Sequence, residues 1–152
     1  MGTFTLKGPQ GLSSITVTTE DERVLEVDFT EDDPREPVEK FDLKLKDALE
    51  AYLRGEGPLP HFPVAPRGTE FQMKIWKGLQ EIPYGETMTY GQMAETYHRK
   101  GSARAVGGAC NKNPISILIP CHRVVGKQGL TGFGGGLEWK EYLLQMEKNH
   151  KK

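Results

Sequence analysis

The sequence predicts an α+β fold: a small N-terminal antiparallel sheet with one helix, joined to a mostly helical C-terminal domain that carries a helix-turn-helix. Three observations carry this prediction. Apolar residues alternate with polar ones as far as Phe29, then recur at helical spacing from Phe41 onward. Two Thr-x-x-Gln capping boxes, beginning at Thr69 and Thr89, open helices further on. His98-Arg99-Lys100-Gly101 then makes a turn of the length that joins the two helices of a helix-turn-helix.

The elements follow in order. Phe4 and Leu6 mark a first strand, closed by Gly8-Pro9-Gln10-Gly11. Ile15-Thr16-Val17 and Leu25-Glu26-Val27-Asp28-Phe29 mark two more, joined by the polar turn Glu20-Asp21-Glu22-Arg23. An acidic, proline-bearing loop leads to a helix with Phe41, Leu45, Ala48, Leu49, Tyr52 and Leu53 on one stripe. Gly55 and Gly57-Pro58 end it, and the prolines at 63 and 66 mark a linker. This divides the 152 residues into domains at 1–66 and 67–152.

Phe71, Ile75, Trp76 and Leu79 form the buried stripe of the next helix. A short helix follows with Tyr90, Met93, Ala94 and Tyr97 on one side. Ser102 caps a third helix, which Asn113-Pro114 ends. Gly107-Gly108 inside that helix costs about 1 kcal/mol per glycine relative to alanine. Close approach of something bulky offsets such a cost, either another helix or an outside partner. Residues 115–119 read as a short buried strand or extended segment, and 124–133 as a turn-rich hairpin or loop. Trp139, Tyr142, Leu143 and Met146 define a last amphipathic helix.

Composition excludes several classes. The apolar run from Ile115 to Pro120 is too short to cross a bilayer, and the N-terminus has no secretory pattern, so a cytoplasmic protein is expected. Two cysteines are too few for a disulfide scaffold of this size. The four histidines are scattered, so no metal site is expected. The net charge of −1 hides an asymmetry: residues 1–68 hold 8 basic against 14 acidic residues, and residues 69–152 hold 12 against 7. No acidic residue falls between Thr96 and Leu137, where Arg99, Lys100, Arg104, Lys112, Arg123 and Lys127 lie. That is the electrostatic footprint of a nucleic-acid surface.

Cys121 stands in Ile119-Pro120-Cys121-His122-Arg123-Val124. A thiolate is a strong nucleophile once a neighbouring base or cation activates it, and Pro120 stiffens the backbone ahead of it. Cys110 has no such neighbours and reads as a small buried hydrophobe.

The segments Arg104-Ala105-Val106-Gly107-Gly108, Asn113-Pro114 and Ile117-Leu118-Ile119-Pro120-Cys121-His122-Arg123-Val124-Val125 closely resemble the O6-alkylguanine-DNA alkyltransferases (methylated-DNA–protein-cysteine methyltransferases). The resemblance covers residues 69–147; the N-terminal part matches only in size and element order. It implies a single-turnover transfer of an alkyl group to Cys121 from O6 of guanine, with O4 of thymine as a further target. No cofactor is implied. The partner would be double-stranded DNA containing alkylated guanine, bound by a monomer. His122 would draw the thiol proton through a water, and Glu141 would orient His122. Asn113 would hold the turn before the reactive segment, and Tyr90 would help rotate the nucleotide out of the stack. Arg104 would fill the gap, with DNA contacts also from Gly91, Arg99, Ala103 and Gly107. Val124, Phe133, Gly134 and Cys110 would line the pocket. Many relatives have tyrosine where this chain has Phe133, and some bind zinc through N-terminal cysteines that this chain lacks. An alkyltransferase-like damage sensor is the alternative, but such proteins lack the acceptor cysteine.

Overall fold

The computed structural model of the chain describes residues 1–97, 103–126 and 135–150. The turn at 98–101, the Ser102 cap, and Arg99, Phe133 and Gly134 lie outside the described residues.

Three strands, β1 (Gly2–Leu6), β2 (Ser14–Glu20) and β3 (Arg23–Thr30), form an antiparallel sheet in sequence order. The β2–β3 hairpin closes on Asp21 and Glu22, with φ of 52° and 56°. Positive φ at both central residues gives the turn whose twist matches the strands. A bulge between Thr18 and Thr19 shifts the register, so Val24 and Val27, rather than Leu25 and Val27, point into the core. Strict alternation in β3 therefore fails at this one point. Phe4, Leu6, Ile15 and Val17 complete the buried face.

Helix α1 (Lys40–Leu53) lays Leu45, Leu49, Tyr52 and Leu53 into the core. Its first turn holds a buried carboxylate, Asp42, which accepts a 2.6 Å hydrogen bond from Thr19 Oγ1 on β2. That bond clamps the helix to the sheet.

Helix α2 (Glu70–Leu79) opens with both halves of its capping box formed: Gln72 N donates to Thr69 Oγ1 and Thr69 N to Gln72 Oε1. The strand β4 (Met88–Thr89) leads into α3 (Tyr90–Tyr97), where Thr89 and Gln92 make the same reciprocal bonds. Helix α4 (Ala103–Asn111) packs on α2 and α3, and Trp76 Nε1 of α2 donates to Ala109 O of α4 at 2.8 Å. Strand β5 (Val124–Val125) pairs in parallel with β4, and α5 (Leu137–His150) is the last helix. Trp139 of α5 packs against Phe29 and donates to Ser13, tying this helix to the first sheet.

Residues 115–119 make a tight turn instead of a continuous strand. Ile119 N donates to Ile115 O, and Ile117 has φ of 77°. A β-branched residue there is strained, and such strain clusters where a segment must be presented in one shape. The turn is held from the sheet: Val27 N on the β3 edge donates to Pro114 O at 2.9 Å. One cluster of buried residues runs through both halves of the chain. Among the described residues, no helix is long and apolar enough to cross a membrane.

Thr19→Val removes the donor to a carboxylate that stays buried. It should cost about 1–3 kcal/mol, read by chemical denaturation. An unchanged midpoint would show that the Thr19–Asp42 bond does not clamp α1.

Candidate active site

The chemistry gathers where the tight turn, β5 and α5 meet. Pro120 has φ −78° and ψ 65°, and Cys121 N donates to Ile119 O at 2.8 Å. This is an inverse γ-turn, the sharpest bend a proline supports. It leads straight into a single 3-10 turn, Cys121–Arg123. The bend sends Cys121 and His122 inward while Arg123 stays partly accessible.

Asn113 braces this bend from below. Its Nδ2 donates to Ile119 O at 2.8 Å, and its Oδ1 accepts from Ile115 N at 2.9 Å. The same side chain and Ser116 also favour the ionised form of the Cys121 sulfur. Burial pushes the Cys121 thiol up, while Asn113, the nearby Lys140 ammonium and Ser116 pull it down; burial prevails. At rest the sulfur is therefore a protonated thiol, and it needs a base.

His122 is that candidate base, fully buried beside Cys121. Its Nε2 lies 2.7 Å from Glu147 Oε2. An ionised carboxylate can only accept, so Nε2 carries the proton and Nδ1 carries the basic lone pair. Glu147 is ionised. Burial opposes its charge, but the hydrogen bonds from His122 and Arg123 and the Arg123 charge outweigh burial and hold it far below the usual carboxylate range. Arg123 grips it through Nε to Oε1 (2.9 Å) and Nη2 to Oε2 (3.0 Å), and Arg123 Nη1 donates to Ile82 O. Gly85 N and the Tyr52 hydroxyl also donate to the Glu147 carboxylate. Burial is the largest influence on the His122 ring, and Arg123 already balances the Glu147 charge. The ring therefore stays neutral, with its pKa below the ordinary histidine value.

This corrects the carboxylate expected from sequence. Glu141 is exposed on α5 and is not the partner of His122; Glu147 is. Trp139, Lys140, Leu143, Met146 and Glu147 form the inward stripe of α5. A carboxylate four residues after Leu143, on that stripe, was the available signal.

Lys140 is the second residue that sequence reasoning missed. It is fully buried, its Nζ donates to Val124 O at 2.8 Å, and it lies 5.8 Å from the Tyr90 ring centroid. Burial lowers its pKa, opposed by Cys121 and Cys110. A buried ammonium next to a thiol favours the thiolate once the proton has left. Cys110, at the end of α4, has its thiol pushed up to about 12, first by burial and then by Cys121. Its thiol rests protonated.

Tyr90 stands at the junction of β4 and α3, half-buried between Lys140 and α4. A Cβ added at Gly107 would sit 3.9 Å from the Tyr90 ring, an ordinary contact, and one added at Gly108 would meet nothing within 4 Å. Packing within the described residues therefore does not demand either glycine. Arg104 and Gly108, one helical turn apart, are both exposed, and Ala103 and Gly107 are half-exposed beside them. Gly91 is exposed at the start of α3. The structure thus brings Cys121, His122, Asn113, Cys110 and Val124 into one buried site. Tyr90 lies at its edge, toward the face formed by α3 and α4.

Comparison with known proteins identifies the family of the chain. Residues 70–149 match the family described as 6-O-methylguanine DNA methyltransferase, DNA binding domain. A methylated-DNA–protein-cysteine methyltransferase of Haemophilus influenzae is 43% identical over 149 residues, covering 92% of this chain and 83% of that protein. One from Methanosarcina acetivorans is 50% identical over 110 residues, covering 72% of this chain and 70% of its own length. The crystal structure of the Mycobacterium tuberculosis O6-methylguanine methyltransferase superposes with a TM-score of 0.84 at 36% identity, covering 100% of this chain and 96% of that one. A structure of the M. tuberculosis protein in complex with DNA gives 0.83 at 37% identity, covering 96% and 92%. The chain belongs to the methylated-DNA–protein-cysteine methyltransferase family.

Proposed function

We propose that Cys121 is a stoichiometric acceptor that removes alkyl groups from O6 of guanine in double-stranded DNA. The observation that carries this reading is the relay beside the thiol: His122 with Nε2 tied to Glu147 and a basic Nδ1. In the reaction the Cys121 proton passes to His122, directly or through a water. The sulfur attacks the alkyl carbon in line, the S–C bond forms and the C–O6 bond breaks. The electron pair stays on the guanine, which takes up a proton. Tyr90, at the edge of the site, would donate toward that base, and Lys140 would stabilise the thiolate before attack. The thioether has no route back, so each molecule reacts once.

The target oxygen lies inside the duplex stack, so the nucleotide must be turned out to reach a buried sulfur. The α3–α4 unit suits that task. Gly91, Ala103, Gly107 and Gly108 leave room for a nucleic-acid backbone, and the exposed Arg104 would fill the vacated stack. Arg99, Phe133 and Gly134 would complete the contact and the pocket. Every group of the relay comes from one chain, which suits a monomer. Both cysteines are free thiols, and a thiol acceptor calls for the reducing cytoplasm.

Mass spectrometry after incubation with DNA containing O6-methylguanine tests the reading. The protein should gain one methyl group on Cys121, and Cys121→Ala should gain none while still binding DNA. An unmodified Cys121 overturns the proposal. His122→Phe should slow single-turnover transfer by about 10²–10⁴-fold. Glu147→Gln should slow it by about tenfold or more, whereas Glu141→Gln should transfer at the parent rate. Equal effects at 141 and 147 would contradict the relay.

Gly108→Ala separates folding from binding. It should stabilise the fold by up to about 1 kcal/mol and weaken duplex binding by about tenfold. Stabilisation without loss of binding would remove α4 from the DNA interface.

A further inference from the structure

The relay receives one group from far away in the chain. Tyr52 lies near the end of α1, 70 residues before His122, and its side chain is buried at 2% exposure. Its ring packs edge-on against Tyr84 at 6.2 Å, a contact that phenylalanine would make equally well. The hydroxyl does something else. It donates to Glu147 Oε2 and stands 3.5 Å from His122 Nε2. That oxygen also accepts from Arg123 Nη2 at 3.0 Å and from His122 Nε2 at 2.7 Å. Three donors thus share one oxygen, while Arg123 Nε and Gly85 N occupy Oε1.

We propose that Tyr52 is a positioning residue of the alkyl-transfer relay: its hydroxyl fixes Glu147 Oε2 and limits the pull of that oxygen on His122, so α1 of the N-terminal part helps keep His122 in its proton-accepting form. The inference rests on the reading of Cys121 and His122 given above. A carboxylate oxygen that receives a second and third donor holds each of them less strongly. Without Tyr52, Oε2 would bind the His122 N–H more tightly and favour the imidazolium, which has no lone pair for the thiol proton. The other groups facing His122 do not replace this effect. Arg123 and Cys121 belong to the same turn as His122, and Lys140 and Glu147 face it from α5. Tyr84 faces Glu147 and Arg123 rather than the imidazole. From α1, Tyr52 is the described group that hydrogen-bonds the relay.

Tyr52→Phe in the full chain tests this, because it deletes the oxygen and keeps the ring. Single-turnover transfer at neutral pH should slow by about tenfold, and the acid limb of the pH–rate profile should move up by about one pH unit. Ring-nitrogen NMR of His122 should show protonation beginning at correspondingly higher pH. Leu49→Ala, on the same helix, should lower the melting temperature without moving the acid limb. If Tyr52→Phe reacts at the parent rate with an unmoved acid limb, Tyr52 is a packing residue and the proposal fails. It also fails if Leu49→Ala moves the limb equally, since general loosening then accounts for both. Methylation of Cys121 in the parent protein alongside either result leaves the proposed function standing. Absence of methylation in the parent removes that function and this inference with it.

Discussion

A buried carboxylate, Glu147, is the constraint around which the rest of the site is arranged. At 1% exposure it has lost nearly all its water, and an unpaired charge there would cost several kcal/mol. Its lone pairs are answered by Arg123, His122, Tyr52 and Gly85. These come from the reactive turn, from α1 and from the loop before β4. To satisfy one side chain, α1, α5 and the Cys-His-Arg turn must therefore all be in register. The sheet contributes indirectly, because Thr19 and Asp42 hold α1 to it and Val27 holds the segment leading into Cys121. Fold and chemistry share the same set of bonds.

The arrangement also explains how a reactive sulfur is kept quiet. Burial disfavours the thiolate, so Cys121 rests as a thiol. The groups that would stabilise the anion, Asn113, Ser116 and Lys140, are already in place and need not reorganise when the proton leaves. His122 is neutral for the same reason that it is useful: Arg123 neutralises Glu147, and desolvation then disfavours a second cation. The buried Lys140, held by Val124 O, acts in the same direction, because its charge also lowers the His122 pKa. Positive charge thus serves the sulfur and the carboxylate, not the imidazole.

Much of this is legible from residue order alone. The capping boxes at Thr69 and Thr89 form because both partners of each lie within one helical turn. The reactive run is legible because Pro120, Cys121, His122 and Arg123 are adjacent, so local geometry decides their relation. Long-range relations are harder. Any acidic residue on α5 could partner His122, and apolar periodicity alone leaves Glu147 and Lys140 in the polar class. Tyr52 reads as core because its ring is core; only tertiary contact reveals what its oxygen meets. Leu25 reads as inward because no composition signal marks the bulge that shifts its strand by one residue. The turn at 115–119 looks extended because Ile117, Leu118 and Ile119 favour strands, yet Ile117 is held at positive φ by the bonds around it.

That strained turn also sets the surroundings of the sulfur. Asn113, which favours the ionised sulfur, is the same side chain that braces Ile119 and Ile115. An alkyl group on the sulfur adds volume at a site that is 6% exposed and close to Cys110 on α4. Added volume in a close-packed interior is destabilising unless its neighbours shift. Helix α4 is tied to α2 through Ala109, one residue from Cys110. The burial that keeps the thiol protonated is therefore also what leaves little room around the sulfur.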